Sequence, residues 1–172
     1  MFNTLILCTA NSARSILAEA ILNRLGEGRF QAYSAGSHPR GAPNPLALEL
    51  LAALGYPTAA LRSKSWDEFA APDAPKMNLV ITVCDSAAGE TCPLWPGAPF
   101  KAHWGIPDPA GVPGGLAAEQ AAFGQAFTRL EARMKALVAL PVEAMSPNAL
   151  KLRLTAIGHL DGATDLARDG GS

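Results

Sequence analysis

Three cysteines, one arginine and one aspartate carry the chemistry this sequence can do. The segment Cys8-Thr9-Ala10-Asn11-Ser12-Ala13-Arg14-Ser15 separates a cysteine from an arginine by five residues, between a short apolar run and a helical pattern. A loop of that length at a strand-to-helix junction can wrap a tetrahedral oxyanion. Its backbone N–H groups and the helix N-terminus face inward, and the guanidinium of Arg14 holds two oxygens as a fork. The same positive field favours a thiolate at Cys8, and the Ser15 hydroxyl can add a hydrogen bond. Asn11 tolerates left-handed backbone angles, which suits a tight anion-wrapping turn. Cys8 is therefore expected as the nucleophile, with Thr9, Ala10, Asn11, Ser12, Ala13 and Ser15 as the oxyanion-binding loop. The plain alternative is a core cysteine at a strand end beside a surface arginine. Cysteine, arginine and serine together at this spacing argue against it.

The elements that must position these groups are read from periodicity. Residues 4–7 form a short apolar run ending at Cys8, which predicts a buried strand. Leu17, Ile21 and Leu25 share one helical face, and Gly26 stops that pattern. Residues 31–35 make a second candidate strand, closed by Gly36 and a Pro/Gly-rich stretch over 37–43. Asn44 can cap a helix that has Pro45 in its first turn and Leu46, Leu50, Leu51 and Leu54 on its apolar face. Ser65-Trp66-Asp67-Glu68 has the form of a capping box and predicts a short helix. Residues 79–83 are the clearest strand, apolar on both faces and ending at Cys84, and 100–104 could make a fourth. The longest helix is expected over 117–140, with Phe123, Phe127, Leu130, Met134, Leu137 and Val138 as its stripe. Beyond Pro141 the reading is a short helix around 149–157 and a frayed tail from Asp161.

Strands alternating with helices predict an α/β domain with a mostly parallel sheet. In such sheets ligands bind outside the carboxyl ends of the strands, where strand order reverses. Cys8, Cys84 and Asp108 each follow a candidate strand, so they should converge on one edge.

Composition removes other classes. The 172 residues suit one domain, and 49% hydrophobic with 17% charged residues excludes a disordered or fibrous chain. The net charge of −1 implies no basic face for nucleic acid or anionic lipid. Met1-Phe2-Asn3 carries no positive side chain ahead of a short apolar run, so neither a signal peptide nor a membrane span is expected. Three cysteines cannot make a disulfide framework, and reduced thiols in a cytoplasmic protein are the default. His38, His103 and His159 are too scattered for a metal site with the cysteines, and His103 reads as structural. Trp66, Trp95 and Trp104 read as packing residues rather than a base-stacking platform.

Together these motifs resemble the thiol-dependent arsenate reductases built on the low-molecular-weight protein tyrosine phosphatase fold. The resemblance runs from about Leu5 to Leu140. It is carried by the Cys8–Ser15 loop, Tyr33-Ser34-Ala35-Gly36, Asn44-Pro45, Val83-Cys84-Asp85 with Cys92-Pro93, and His103-Trp104-Gly105 leading to Asp108-Pro109-Ala110. It implies a single-domain four-stranded parallel sheet flanked by helices over 1–140, with 141–172 as a C-terminal extension. It also implies a route. Cys8 attacks arsenate, Arg14 and the loop amides hold the oxygens, and Asp108 protonates the leaving hydroxyl. Cys84 then attacks Cys8, releasing arsenite and leaving a Cys8–Cys84 disulfide. Cys92 resolves it into a Cys84–Cys92 disulfide, which an external thiol reductant, thioredoxin or glutaredoxin with glutathione, reduces. No bound cofactor or metal is implied.

The redox logic is general. Two-electron reduction of arsenic lets a second thiolate displace it and leaves a disulfide, an exit that a phosphate ester lacks. The small and polar residues between Cys84 and Cys92 are consistent with a mobile segment that carries one sulfur to the other. Two other classes stay open: a phosphomonoesterase using Cys8, Arg14 and Asp108, and a noncatalytic arsenite or zinc sensor using the three thiols. Phosphatases of this fold usually carry aromatic residues after the Asp-Pro pair, whereas Ala110-Gly111 stand here and offer an aryl substrate little to stack on. Some members bind potassium through equivalents of Asn11, Glu19 and Ser34 plus an aspartate. Trp66 stands at the aspartate's place, so no such site is expected.

Overall fold

The computed structural model describes residues 1–97 and 99–169. Its elements run β1 (Phe2–Leu7), α1 (Arg14–Leu25), β2 (Phe30–Ala35), α2 (Pro45–Ala53), a 3-10 turn (Trp66–Phe69), β3 (Leu79–Thr82), α3 (Asp85–Ala88), β4 (Phe100–His103), α4 (Leu116–Val138), α5 (Pro147–Gly158) and α6 (Asp165–Arg168). The four strands form one parallel sheet in the order β2-β1-β3-β4. The two central strands, β1 and β3, are covered on both faces, which is why they read as continuous apolar runs.

Alternation along β1 assigns the two cores. Ile6, Cys8 and Ile81 join Leu17, Ile21, Phe123, Leu130 and Leu137 beneath α1 and α4, whereas Leu5, Leu7 and Val80 pack with Phe69, Met77 and Trp95 on the other side. Strand order reverses at β1. The chain goes to β2 on one side and then crosses to β3 on the other, so the crevice opens at the carboxyl ends of β1 and β3. Thr82 is the register partner of Leu7, which brings the residues after both strands together.

Element ends lie within two residues of the periodicity reading. β4 ends at His103 rather than at Trp104, because Trp104 turns into the core and its indole N–H donates to the Leu154 carbonyl at 2.9 Å. The capping box is half formed. Ser65 accepts from the Asp67 N–H at 3.2 Å, but Glu68 pairs with Arg62 at 2.7 Å instead of returning to the cap, and only a single 3-10 turn results.

The expected frayed tail is corrected over its described part. From Asp161 the chain turns and forms α6, with Thr164 as N-cap and Ala167 buried. Fully buried Arg133 of α4 donates to the carbonyls of Leu160 and Asp161 and ties the segment down. Leu150, Leu154 and Ile157 of α5 extend the main core. Among the described residues, no helix is long and apolar enough to cross a membrane.

Candidate active site

Cys8 begins the loop where β1 leaves the sheet, and its N–H still pairs with the Ala35 carbonyl at 3.2 Å. The carbonyls of Thr9, Ala10 and Ser12 accept from the backbone N–H groups of His38, Arg40 and Asn44 at 2.8–3.1 Å. Those bonds pull the loop's oxygens outward, toward the segment after β2. Gly36 permits that approach, because a Cβ there would stand 2.6 Å from the Cys8 carbonyl oxygen. α1 starts at Arg14 with neither a side-chain cap nor an acidic residue in its first turn. Its first N–H groups are therefore left for a ligand.

Asn11 makes the turn. At φ +44 it is the one non-glycine residue with a positive φ among the described residues, and it is fully buried. Its amide donates to the hydroxyls of Ser15 at 2.9 Å and Ser34 at 3.0 Å, while its carbonyl oxygen accepts from the Lys64 N–H at 2.9 Å. Ser34 donates in turn to Glu19. The Lys64 ammonium lies 3.9 Å from the Glu19 carboxylate, and both side chains are largely buried. Burial raises the pKa of Glu19 and lowers that of Lys64, and each partner's charge opposes the shift. A cation of the chain itself thus stands beside the Asn11–Ser34–Glu19 chain.

Arg14 reaches across this loop. One terminal nitrogen donates to the Ile106 carbonyl at 2.8 Å, the other lies 3.5 Å from Asp108, and Nε is buried without a partner among the described residues. The Asp108 side chain is more than half exposed, and it accepts from the Ala110 N–H at 3.0 Å. Cys8, Thr9, Ala10, Ser12, Ala13, Arg14, Cys84, Ser86, Asp108 and Ala110 line one pocket of about 160 Å³, with Arg40 at its edge.

Cys84 lies in the same pocket. Its sulfur accepts from the N–H of Thr9 and of Ala87, each at 3.4 Å, and so caps α3. The neighbouring Cys8 thiol, together with those two amides, lowers the Cys84 pKa to about 5 against the cost of burial. The Cys84 sulfur, reinforced by burial, in turn pushes Cys8 well above its ordinary value, although Arg14 pulls it down. The pair thus holds its negative charge on Cys84, whereas the loop motif alone pointed to a thiolate at Cys8. Cys92 is elsewhere. It packs at the edge of the second core, near Trp95, and burial raises its pKa.

The fold therefore gathers Cys8, Arg14, Cys84, Asp108 and the loop, and leaves Cys92 apart. The short helix α3 also gives the segment between Cys84 and Cys92 more order than its small residues imply. The sequence reading missed Lys64 and missed Glu90, which accepts from the Thr9 hydroxyl at 3.0 Å. Asp85 stood in the Val83-Cys84-Asp85 motif without a role, and its carboxylate meets His103 at 2.8 Å and Thr164 at 2.7 Å. A lysine one residue before the capping box was a faint signal for the first. Glu90 had none.

Comparison with known proteins agrees with this geometry. The model of the low molecular weight phosphotyrosine protein phosphatase family matches residues 3–149. Over 107 residues, 62% of this chain and 78% of the relative, the sequence is 36% identical to arsenate reductase 2 of Staphylococcus epidermidis. The crystal structure of arsenate reductase from Archaeoglobus fulgidus superposes with a TM-score of 0.62 at 28% identity, covering 80% of this chain and 99% of that one. The tyrosine phosphatase Wzb from Escherichia coli K30, in complex with sulphate, shares the fold at a TM-score of 0.63 and 21% identity, over 81% of this chain and 98% of that one. With its Cys-x5-Arg loop at the sheet's switch point and a second thiol in the pocket, this chain belongs to the low molecular weight phosphotyrosine protein phosphatase family and stands with that family's arsenate reductases.

Proposed function

We propose that this chain reduces arsenate to arsenite through a thiol–arsenate adduct and a cysteine disulfide relay. The observation that carries the reading is the Cys84 sulfur held by the Thr9 N–H and lining the same oxyanion pocket as Cys8. A phosphatase has no need of a second thiol there. A two-electron reduction does.

The Cys8 proton passes to Cys84, and the Cys8 thiolate attacks arsenate held by Arg14 and the loop amides. Asp108 gives a proton to the leaving hydroxyl, which departs as water. Cys84 loses its proton again and attacks the Cys8 sulfur. The electron pair of the sulfur–arsenic bond stays with arsenic, so As(V) leaves as arsenite and a Cys8–Cys84 disulfide remains. Summed in neutral forms, arsenic acid and two thiols give arsenous acid, a disulfide and water. The Cys92 thiolate then attacks Cys84, freeing Cys8, and an external dithiol reduces the Cys84–Cys92 disulfide. That reductant is thioredoxin, or glutaredoxin with glutathione, in the cytoplasm where such donors act.

The test is arsenate-dependent consumption of NADPH with each donor system, run beside hydrolysis of an aryl phosphate. Arsenate turnover with weak or no phosphatase activity supports the reading. Phosphatase activity without arsenate turnover overturns it.

A further inference from the structure

The relay requires Cys84 and Cys92 to meet, yet they occupy opposite faces of the sheet. Cys84 belongs to the core beneath α1 and α4, and Cys92 packs at the edge of the core around Trp95. A disulfide needs Cα atoms within roughly 7 Å and converging Cβ vectors, so one thiol has to leave its place. Cys84 cannot leave without undoing α3, whose N-cap is its own sulfur.

The next residue, Asp85, is pinned. Its Oδ1 accepts from the Nε2 of His103 at 2.8 Å and from the Thr164 hydroxyl at 2.7 Å. His103 is in turn fixed by a 2.8 Å hydrogen bond between its Nδ1 and the Thr82 hydroxyl. The Thr164 hydroxyl also accepts from the Ala167 N–H at 3.3 Å, and the Thr164 N–H donates to the Gly105 carbonyl at 3.0 Å. No side chain larger than hydrogen fits at that junction. A Cβ on Gly105 would lie 2.5 Å from Asp85 Oδ1, 2.6 Å from Thr164 Oγ1 and 2.7 Å from His103 Nε2. Thr164 stands beyond residue 149, where the family match ends, on a segment anchored by buried Arg133.

We propose that the C-terminal segment, through Thr164, is a positioning device. It holds Asp85 and α3 in the arrangement that keeps Cys84 against Cys8, and so opposes transfer of the disulfide to Cys84–Cys92. This inference rests on the relay reading. A bond present in the dithiol form and broken when Cys84 moves disfavours the disulfide by its own strength, and removing the bond must favour the disulfide. His103 ties Asp85 to the sheet, and Thr164 ties it to a separate part of the fold.

The experiment uses the full chain carrying Cys8→Ser, so that only Cys84 and Cys92 can pair. The protein is equilibrated with graded ratios of reduced and oxidised glutathione. The dithiol gives two electrons and two protons to oxidised glutathione, forming one protein disulfide and two glutathione molecules. Alkylation and mass spectrometry read the fraction oxidised. In this background Thr164→Val is expected to shift the equilibrium toward the disulfide by about fivefold, and Thr164→Ser, which keeps the hydroxyl, to stay within about twofold of the parent. A merely structural threonine would lower thermal stability in both redox forms and leave the midpoint where it was. A disulfide that forms in the parent but whose midpoint Thr164→Val does not move, or that Thr164→Ser moves as far, overturns the proposal alone. A parent that never forms the Cys84–Cys92 disulfide overturns the relay reading, and this inference with it.

Discussion

The backbone N–H of Thr9 donates to the sulfur of Cys84 at 3.4 Å, so the residue that follows one thiol helps to hold the charge of the other. Because Cys8 and Cys84 line one pocket and each shifts the other's pKa, the two thiols share one proton and ionise as a unit. Thiolate absorbance is expected to rise with a midpoint near pH 5 and to show no second pocket thiolate until well above the ordinary thiol range. In Cys84→Ala the neighbouring sulfur that raises Cys8 is gone while Arg14 remains, so the Cys8 titration is expected to move down from its wild-type position. A wild-type protein with no thiolate below pH 8 would contradict the shared proton.

Substitution separates the two thiols by function. Cys8→Ser is expected to abolish arsenate reduction and any aryl phosphate hydrolysis with the fold intact, since a serine hydroxyl has no accessible anion near neutral pH. Cys84→Ser is expected to stop arsenate turnover and spare phosphate hydrolysis. Parallel assays of both reactions check this, and a joint loss in Cys84→Ser would make that thiol structural.

Asp108 stands at the pocket mouth, 3.5 Å from Arg14. Asp108→Asn is expected to slow the first chemical step by about 10²–10⁴-fold, measured as single-turnover release of arsenite. A near-normal rate moves the proton donor elsewhere.

Cys92→Ser is expected to complete one turnover and then stall with thioredoxin as donor, because a disulfide held at Cys8 lies inside the pocket, away from a bulky reductase. Peptide mapping after one equivalent of arsenate reads the linkage. Normal cycling with glutathione and glutaredoxin would place the resolving thiol outside the chain.

The Lys64–Glu19 pair supports Asn11 from beneath. Lys64→Met leaves the buried carboxylate uncompensated and is expected to cost about 3 kcal/mol at neutral pH. The raised pKa of Glu19 goes higher still in that variant, so the folded state binds the proton more tightly than the unfolded one. The lost stability is therefore expected to return as pH falls through the folded-state pKa toward the ordinary carboxylate value. Urea unfolding at a series of pH values checks the sign, and an unchanged difference between wild type and variant across that range would contradict it.

Much of the architecture was legible in the sequence, because local signals and the global pattern agree. The apolar runs at β1 and β3, the Asn44-Pro45 cap of α2 and the stripe of α4 each report a periodicity set by burial on one or two faces. The Cys8–Arg14 spacing named the loop because loop length and helix start fix where the guanidinium can reach. The pairing of Cys8 with Cys84 was implied by resemblance and by both thiols following strands, and the register of Leu7 with Thr82 gives that nearness its physical cause.

Where the charge rests, and what holds the moving parts, only the tertiary structure decided. A pKa depends on donors within a few ångströms, and around Cys84 the Thr9 amide and the Cys8 thiol come from a strand end some 75 residues away, while the Ala87 amide comes from the following turn. Lys64 lies 45 residues from Glu19 and carries no motif; its cation matters only because folding buries both. Composition made the segment after Asp161 look loose, since Gly and Asp favour frayed ends. It packs instead because Arg133 and Asp85, distant in sequence, meet its carbonyls and its threonine hydroxyl. Periodicity reports which face of an element is buried. It does not report which polar groups meet across that face, and those meetings set the chemistry here.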